Sequence, residues 1–199
     1  MKKVLLLLVL ATNVATAQVT DTLSGFLGIP FGSSKKEVKE NILKNGAVIS
    51  EETSDNLYVK NIKQVITNQD VSMAMFRFTD DDKLFSGSML VEPSSIPSSV
   101  DVYETIVSKI SLKYGEGNEF VDAKYPYSES DKTRISAIMS GYVSVSTTWK
   151  INDTDPNNSE KNRIVVRITK TPSIFVMMQN EKLFNIYMKK LEEKQKNSY

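Results

Sequence analysis

The chain has 199 residues and a nearly balanced charge, with 25 Lys and Arg against 24 Asp and Glu. This balance offers no basic excess for neutralising phosphates, so it disfavours nucleic-acid binding. The sequence contains no cysteine and no histidine. The first absence excludes disulfides and thiolate chemistry, and the second excludes Ser-His-Asp triads and imidazole acid–base catalysis. Both lower the expectation of an enzyme.

The N-terminal residues have the order of a secretory signal. Lys2 and Lys3 precede an apolar run over residues 4–11, and residues 15–17 supply the small side chains that a signal peptidase recognises. The run is too short for a membrane-spanning helix, which needs about 20 apolar residues. We therefore expect a signal peptide over residues 1–17 to be cleaved and the mature chain to be periplasmic or secreted. Without a cysteine, no lipid anchor is expected.

A first half-repeat is predicted at about residues 25–92. Ser34 and Glu37 have the spacing of a capping box and predict a helix, which Asn45-Gly46 ends. Strand-like runs follow at residues 57–66, 71–79 and 84–92, with a turn at residues 80–83.

A second half-repeat is predicted at about residues 98–179, after a linker rich in Pro and Ser at residues 93–99. Ser98 and Asp101 again have capping-box spacing, and Gly115 ends the predicted helix. A polar loop and strand-like runs follow at residues 134–151, 162–169 and 173–179. A final helix is predicted at about residues 181–196 from an apolar stripe at helical spacing.

The two halves share the order of a serine cap, an amphipathic helix, a glycine stop and a strand meander. This order predicts an α+β fold in which two α-β-β-β-type repeats form an antiparallel sheet, covered by helices on one face, plus the C-terminal helix. We expect one α+β domain over residues 18–199. The alternative, that the shared order is a coincidence of common caps and stops, stays open.

A resemblance to known proteins supports this architecture. The segment Gly28-Ile-Pro-Phe-Gly-Ser-Ser-Lys35 resembles the opening of small exported gram-negative bacterial proteins of unknown function. The order of helix and meander, given twice, is similar to the tandem fold of beta-lactamase inhibitory protein-like domains and, more distantly, to small envelope lipoproteins of outer-membrane assembly. The resemblance implies an exported protein with a tandem α+β fold.

The predicted strand over residues 143–151 alternates in polarity, with Val143, Val145, Thr147, Trp149 and Ile151 on one side. Trp149 is accordingly expected in the core. The other side is rich in hydroxyl groups and predicts an uncovered sheet face, which is either a solvated surface or a ligand surface.

Four residues are the candidate ligand-binding residues. Tyr125 and Tyr127 lie in a polar loop, where aromatic side chains either anchor a partner or fold back over the sheet edge. Arg77 and Arg167 interrupt apolar strand runs and are interpreted as residues of the open face.

The function expected from these observations is an exported, non-catalytic binding or interaction module, with a protein or glycan partner on the open sheet face. No catalytic residue, metal site or cofactor is predicted. The best calcium-loop candidate, which starts at Asp153, has Asn158 and Ile164 where glycine and glutamate are needed. Membrane insertion is not expected. The alternative is a carboxylate-dependent, glycan-acting hydrolase of the cell envelope.

Overall fold

The computed structural model describes residues 22–62, 70–154 and 157–196. The predicted signal peptide lies outside these residues. In chain order the elements are β1 Gly25–Phe26, β2 Ile29–Pro30, α1 Lys35–Lys44, β3 Val48–Glu52, β4 Asn56–Lys60, β5 Asp70–Phe78, β6 Leu84–Glu92, α2 Ser99–Tyr114, β7 Asn118–Ala123, α3 Ile135–Met139, β8 Val143–Ile151, β9 Asn162–Ile168, β10 Ile174–Gln179 and α4 Glu181–Lys196.

Eight strands form one antiparallel sheet in the order β3-β4-β5-β6-β10-β9-β8-β7, and β1 and β2 form a separate hairpin. The predicted fold class, α+β with an antiparallel sheet and a C-terminal helix, is confirmed. Each half contributes four strands and not three. Within each half the first strand lies at a sheet edge and the last lies at the centre, where β6 pairs with β10. The strand order is therefore the same when read from either edge.

The sequence did not predict the two edge strands, β3 and β7. The residues of β3 and β7 are exposed or partly exposed, and none is buried. A strand that pairs on one side only and is buried on neither face lacks the alternation of apolar and polar residues by which a strand is predicted from sequence.

The capping box of α1 is confirmed. The Ser34 side chain accepts a hydrogen bond from the Glu37 amide, and the Glu37 carboxylate accepts one from the Ser34 amide at 2.7 Å. The capping box predicted for α2 is wrong. Ser98 has a helical backbone, and its hydroxyl group donates to the Ser95 carbonyl group at 2.7 Å instead of accepting from α2.

The strand predicted from residue 134 is wrong over its first part, which forms α3. Ala137 and Ile138 are buried there, and Gly141 follows with a φ of 75°. This positive φ breaks the chain before β8 begins. The strand predicted at residues 57–66 corresponds to β4, which ends at Lys60, and residues 63–66 of that prediction lie outside the described chain.

One face of the sheet, called the inner face here, carries the core. The hairpin of β1 and β2 lies over β6 and β10. The ring of Phe26 packs directly against Gly87, where the Cβ atom of any larger residue would collide with it, and meets the Phe76 ring edge-on with centroids 5.4 Å apart. Trp149 is 2% exposed, which confirms its predicted core position, and its Nε1 atom donates to the Gly115 carbonyl group at 2.9 Å.

Candidate functional site: the outer face of the sheet

The opposite face of the sheet, called the outer face here, is only partly covered. The strand register places directly paired residues on the same face, so it defines rows of side chains that cross the sheet. The first row consists of Tyr58, Met75, Ser88, Met177, Val165 and Thr148. The second row consists of Met73, Leu90, Phe175, Arg167, Ser146 and Phe120. These two rows are called the outer rows below.

The middle of the outer rows is apolar and accessible. Apart from the buried Ser88, every side chain of the outer rows is partly or fully exposed. Phe120, at the β7 end of the second row, is 64% exposed. Methionine adapts its shape to a contact surface, and an uncovered apolar patch with polar neighbours is typical of interaction sites.

A third row, Asn56, Arg77, Ser86, Gln179, Arg163 and Lys150, lies next to the first. Helix α4 crosses this row. Tyr187 of α4 stacks on Phe85 with ring centroids 4.9 Å apart, and Glu181 accepts a hydrogen bond from Arg163 at 2.8 Å. The C-terminal part of α4 is tied to the β5–β6 turn, where the Lys190 ammonium group pairs with the Asp81 carboxylate at 2.6 Å. The helix thus covers one end of the outer face and leaves the outer rows open.

The two candidate arginines lie on the outer face in different environments. Arg167 is exposed in the middle of the second row, and its guanidinium group lies 4.8 Å from the ring centroid of Phe175. Arg77 lies in the third row, with its guanidinium group 5.2 Å from the Phe85 ring and 5.7 Å from the Tyr187 ring. Arg167 can therefore meet a partner, whereas Arg77 holds α4 on the sheet through cation–π contacts.

The two candidate tyrosines also differ. Tyr125 is 93% exposed. Tyr127 folds back, with its ring 5.6 Å from the Tyr142 ring and 5.3 Å from the guanidinium group of Arg134. Tyr125 is therefore available for contacts, and Tyr127 supports the loop.

The hydroxyl groups of β8 complete the surface. Ser144 is exposed, and Ser146 and Thr148 are partly exposed, while the alternate side chains from Val143 to Ile151 are buried. The alternation predicted for this strand is confirmed. Hydroxyl groups that face away from the core on one half of the sheet thus adjoin the methionine-rich half.

Several residues of the outer rows were not found from the sequence. Met177 and Phe175 lie in a run of apolar residues, Ile174–Met178, that has no polar alternation and reads as buried on both faces. Phe120 lies in a segment that was interpreted as a polar loop. The next residue on its own face, Asp122, is polar, so the segment has no apolar period that would indicate a strand.

The carboxyl groups whose pKa values are clearly shifted have structural partners. A backbone hydrogen bond from Ser34 holds the pKa of Glu37 below its usual value, and one from Ser128 does the same for Asp131. A hydrogen bond from Lys39 lowers the pKa of Glu52. These shifts favour the ionised form, whereas a catalytic general acid needs a raised pKa.

Within residues 22–62, 70–154 and 157–196, no group of three or more acidic side chains is placed to hold a metal ion. The same residues contain no helix that is both long enough and apolar enough to cross a membrane. Comparisons with protein-family models, with curated proteins and with solved structures found no match. The resemblances read from the sequence therefore stay predictions.

Proposed function

We propose that this chain is an exported, non-catalytic binding protein that docks a protein partner on the outer rows. The observation that carries the proposal is the pair of uncovered rows, in which Met75, Met177 and Phe175 are accessible beside Arg167. The export part rests on the N-terminal signal pattern.

The composition of the outer rows favours a protein over a glycan. Aromatic residues, methionine and arginine are enriched at protein–protein interfaces, and the energy of binding is concentrated on a few such side chains. Phe120 and Arg167 are the two exposed members of the second row. They are separated by Ser146 alone, so both can contact one partner.

The positive charge of the Arg167 side chain favours a partner that carries an acidic group. The Arg167 guanidinium group lies 4.8 Å from the centroid of the Phe175 ring and is exposed, so its N–H groups can donate to a carboxylate of a partner. The expected partner therefore presents an apolar segment flanked by an aspartate or a glutamate.

The test is capture from an envelope extract with chemical cross-linking, using the wild type and two double variants. The outer-face variant is Phe120→Ser with Arg167→Glu. Both residues are exposed, so the fold is expected to be retained. The matched control is Leu112→Ser with Lys36→Glu, an apolar and a basic residue exposed on the helices of the inner face.

We expect the wild type and the control to capture the same protein, and the outer-face variant to capture roughly tenfold less, since the variant removes the two most exposed contacts of the second row. Equal capture by all three proteins would contradict the proposal, as would capture by none. If purified glycans bind the wild type and not the outer-face variant, while no protein does, the partner is a glycan and the protein assignment is wrong.

A further inference from the structure

A cleft of about 1020 Å³ lies on the inner-face side of the molecule, away from the outer rows. It is bounded by the β1–β2 hairpin and by the C-terminal ends of α1 and α2. Because α1 ends at Lys44 and α2 ends at Tyr114, the two helices bring their last turns to the same opening. The cleft is large enough for a small organic ligand.

The floor of the cleft is apolar. Ile42 of α1, Ile110 of α2 and Met178 of β10 line it and are 5%, 3% and 8% exposed. Leu27 of the hairpin and Ile62 also line it and are partly exposed. A hydrocarbon chain that lies on these side chains is removed from water, which is favourable in proportion to the apolar area buried.

Among the residues that the structure describes, the charged residues that line the cleft are all basic. They are Lys44, Lys109 and Lys113, and no described Asp or Glu lines it. Lys44 and Lys113 lie in the last turns of their helices, where a cation is favoured by the helix dipole. Lys109 lies one turn earlier and is four residues from Lys113, a spacing at which like charges repel. The described rim of the cleft is therefore positively charged.

We propose that this cleft binds a single-chain amphiphile with an anionic head group, such as a fatty acid. The head group pairs with the ammonium groups of Lys44 and Lys109, and the chain lies over Ile42, Ile110 and Met178. The basic rim favours the anionic head group of such a ligand, and the apolar floor favours its hydrocarbon chain. This site is separate from the outer rows, so it does not depend on the function proposed for them.

The test is a competition assay in which a fluorescent fatty acid is displaced from the full chain. The competitors are tetradecanoate, decanoate and tetradecyltrimethylammonium, each below its critical micelle concentration. We expect tetradecanoate to compete at least about tenfold better than decanoate, because four methylene groups are lost from the apolar floor. We expect the cationic amphiphile to compete at least about tenfold more weakly than tetradecanoate, because it faces the lysines.

The variant that tests the rim is Lys44→Glu with Lys109→Glu. Its matched control is Lys36→Glu with Lys161→Glu, which makes the same change in net charge at exposed positions that do not line the cleft. We expect tetradecanoate to bind the rim variant at least about tenfold more weakly and the control unchanged.

Three outcomes would overturn the proposal. One is the absence of displaceable binding to the wild type. Another is an equal loss of binding in the rim variant and the control, which would indicate attraction to the overall charge and not to the cleft. The third is equal competition by the anionic and cationic amphiphiles. None of these outcomes depends on the outer rows, so the two proposals fail separately.

Discussion

The inner and outer faces of the sheet are made by the same strands but differ in how their side chains are covered. On β10, Ile174 and Val176 are fully buried on the inner face, while Phe175 and Met177 on the outer face are partly exposed. Burial of apolar area is the main favourable term in folding. The inner face can therefore stabilise the fold while apolar side chains of the outer rows stay accessible.

The largest expected effect comes from the same substitution made on each face. Phe76→Ala removes a fully buried ring from the inner face, where it packs against Phe26. We expect the free energy of unfolding, measured by urea denaturation, to fall by roughly 3–5 kcal/mol. Phe175→Ala removes a partly exposed ring of the outer face, and we expect a loss of about 1–2 kcal/mol, because less apolar area is given back to water.

This pair of variants tests whether the two faces differ in packing in solution. If Phe175→Ala costs as much as Phe76→Ala, the outer rows are packed in solution and are not an open docking surface. If Phe175→Ala lowers the free energy of unfolding less than Phe76→Ala does, with an unchanged dependence on urea, the result supports the assignment of stability to the inner face.

The next effect concerns a polar pair within the inner layer. The Tyr103 hydroxyl group lies 2.6 Å from the Thr147 hydroxyl group, and burial raises the pKa of Tyr103 to about 12. In the unfolded chain the Tyr103 hydroxyl group ionises at a lower pH, near 10. Ionisation therefore stabilises the unfolded state at a lower pH than it stabilises the folded state. The stability that Tyr103 contributes is therefore fully present below pH 10 and is lost as the pH rises towards 12.

The measurement is urea denaturation between pH 8 and pH 11.5. We expect the wild type to lose on the order of 1–2 kcal/mol of additional stability relative to Tyr103→Phe above pH 10. Tyr125→Phe is the matched control, because Tyr125 is 93% exposed. A wild type and a Tyr103→Phe variant with the same slope in this range would show that Tyr103 ionises as easily in the folded chain.

The sequence predicted those parts of the fold that have a strong periodic signal. The alternation of β8 and the cap of α1 both follow from local chemistry, and both are confirmed. The edge strands β3 and β7 were missed. None of their side chains is buried, so their sequences show no alternation of apolar and polar residues. The pairing of β6 with β10 joins the two halves. A local sequence pattern does not predict which distant strands pair with each other.

The candidate site was predicted less completely, because contacts between residues distant in the sequence decide which of its side chains are exposed. Arg167 and Tyr125 are exposed, but Arg77 is only partly exposed and its guanidinium group lies against the rings of Phe85 and Tyr187. Whether an arginine of a strand meets solvent or a ring depends on where α4 crosses the sheet. That crossing is set by contacts between residues about one hundred positions apart, which a local pattern does not contain.

The smallest expected effect compares the two helices that cover the inner face. In α1, Ser34 and Glu37 satisfy each other's backbone N–H groups, whereas the Ser98 side chain makes no cap bond to α2. We expect Ser34→Ala to lower the free energy of unfolding by about 1 kcal/mol. Ser98→Ala is the matched control, with an expected loss of no more than about 0.5 kcal/mol, because only partly exposed turn contacts are removed.

The stability of Ser34→Ala and Ser98→Ala can also be compared at acidic pH. Because Ser34 lowers the pKa of Glu37, this carboxylate stabilises the folded chain above the unfolded pKa, and that contribution is lost as the pH falls through the folded pKa. Ser34→Ala removes the side-chain hydrogen bond to Glu37 but keeps the backbone hydrogen bond, which is the larger cause of the lowered pKa. This variant is therefore expected to lose only slightly less stability on acidification than the wild type, while Ser98→Ala follows the wild type. Equal costs for the two serine variants at neutral pH would show that the cap of α1 contributes no more than the turn before α2. The two helices would then be held on the inner face by packing alone.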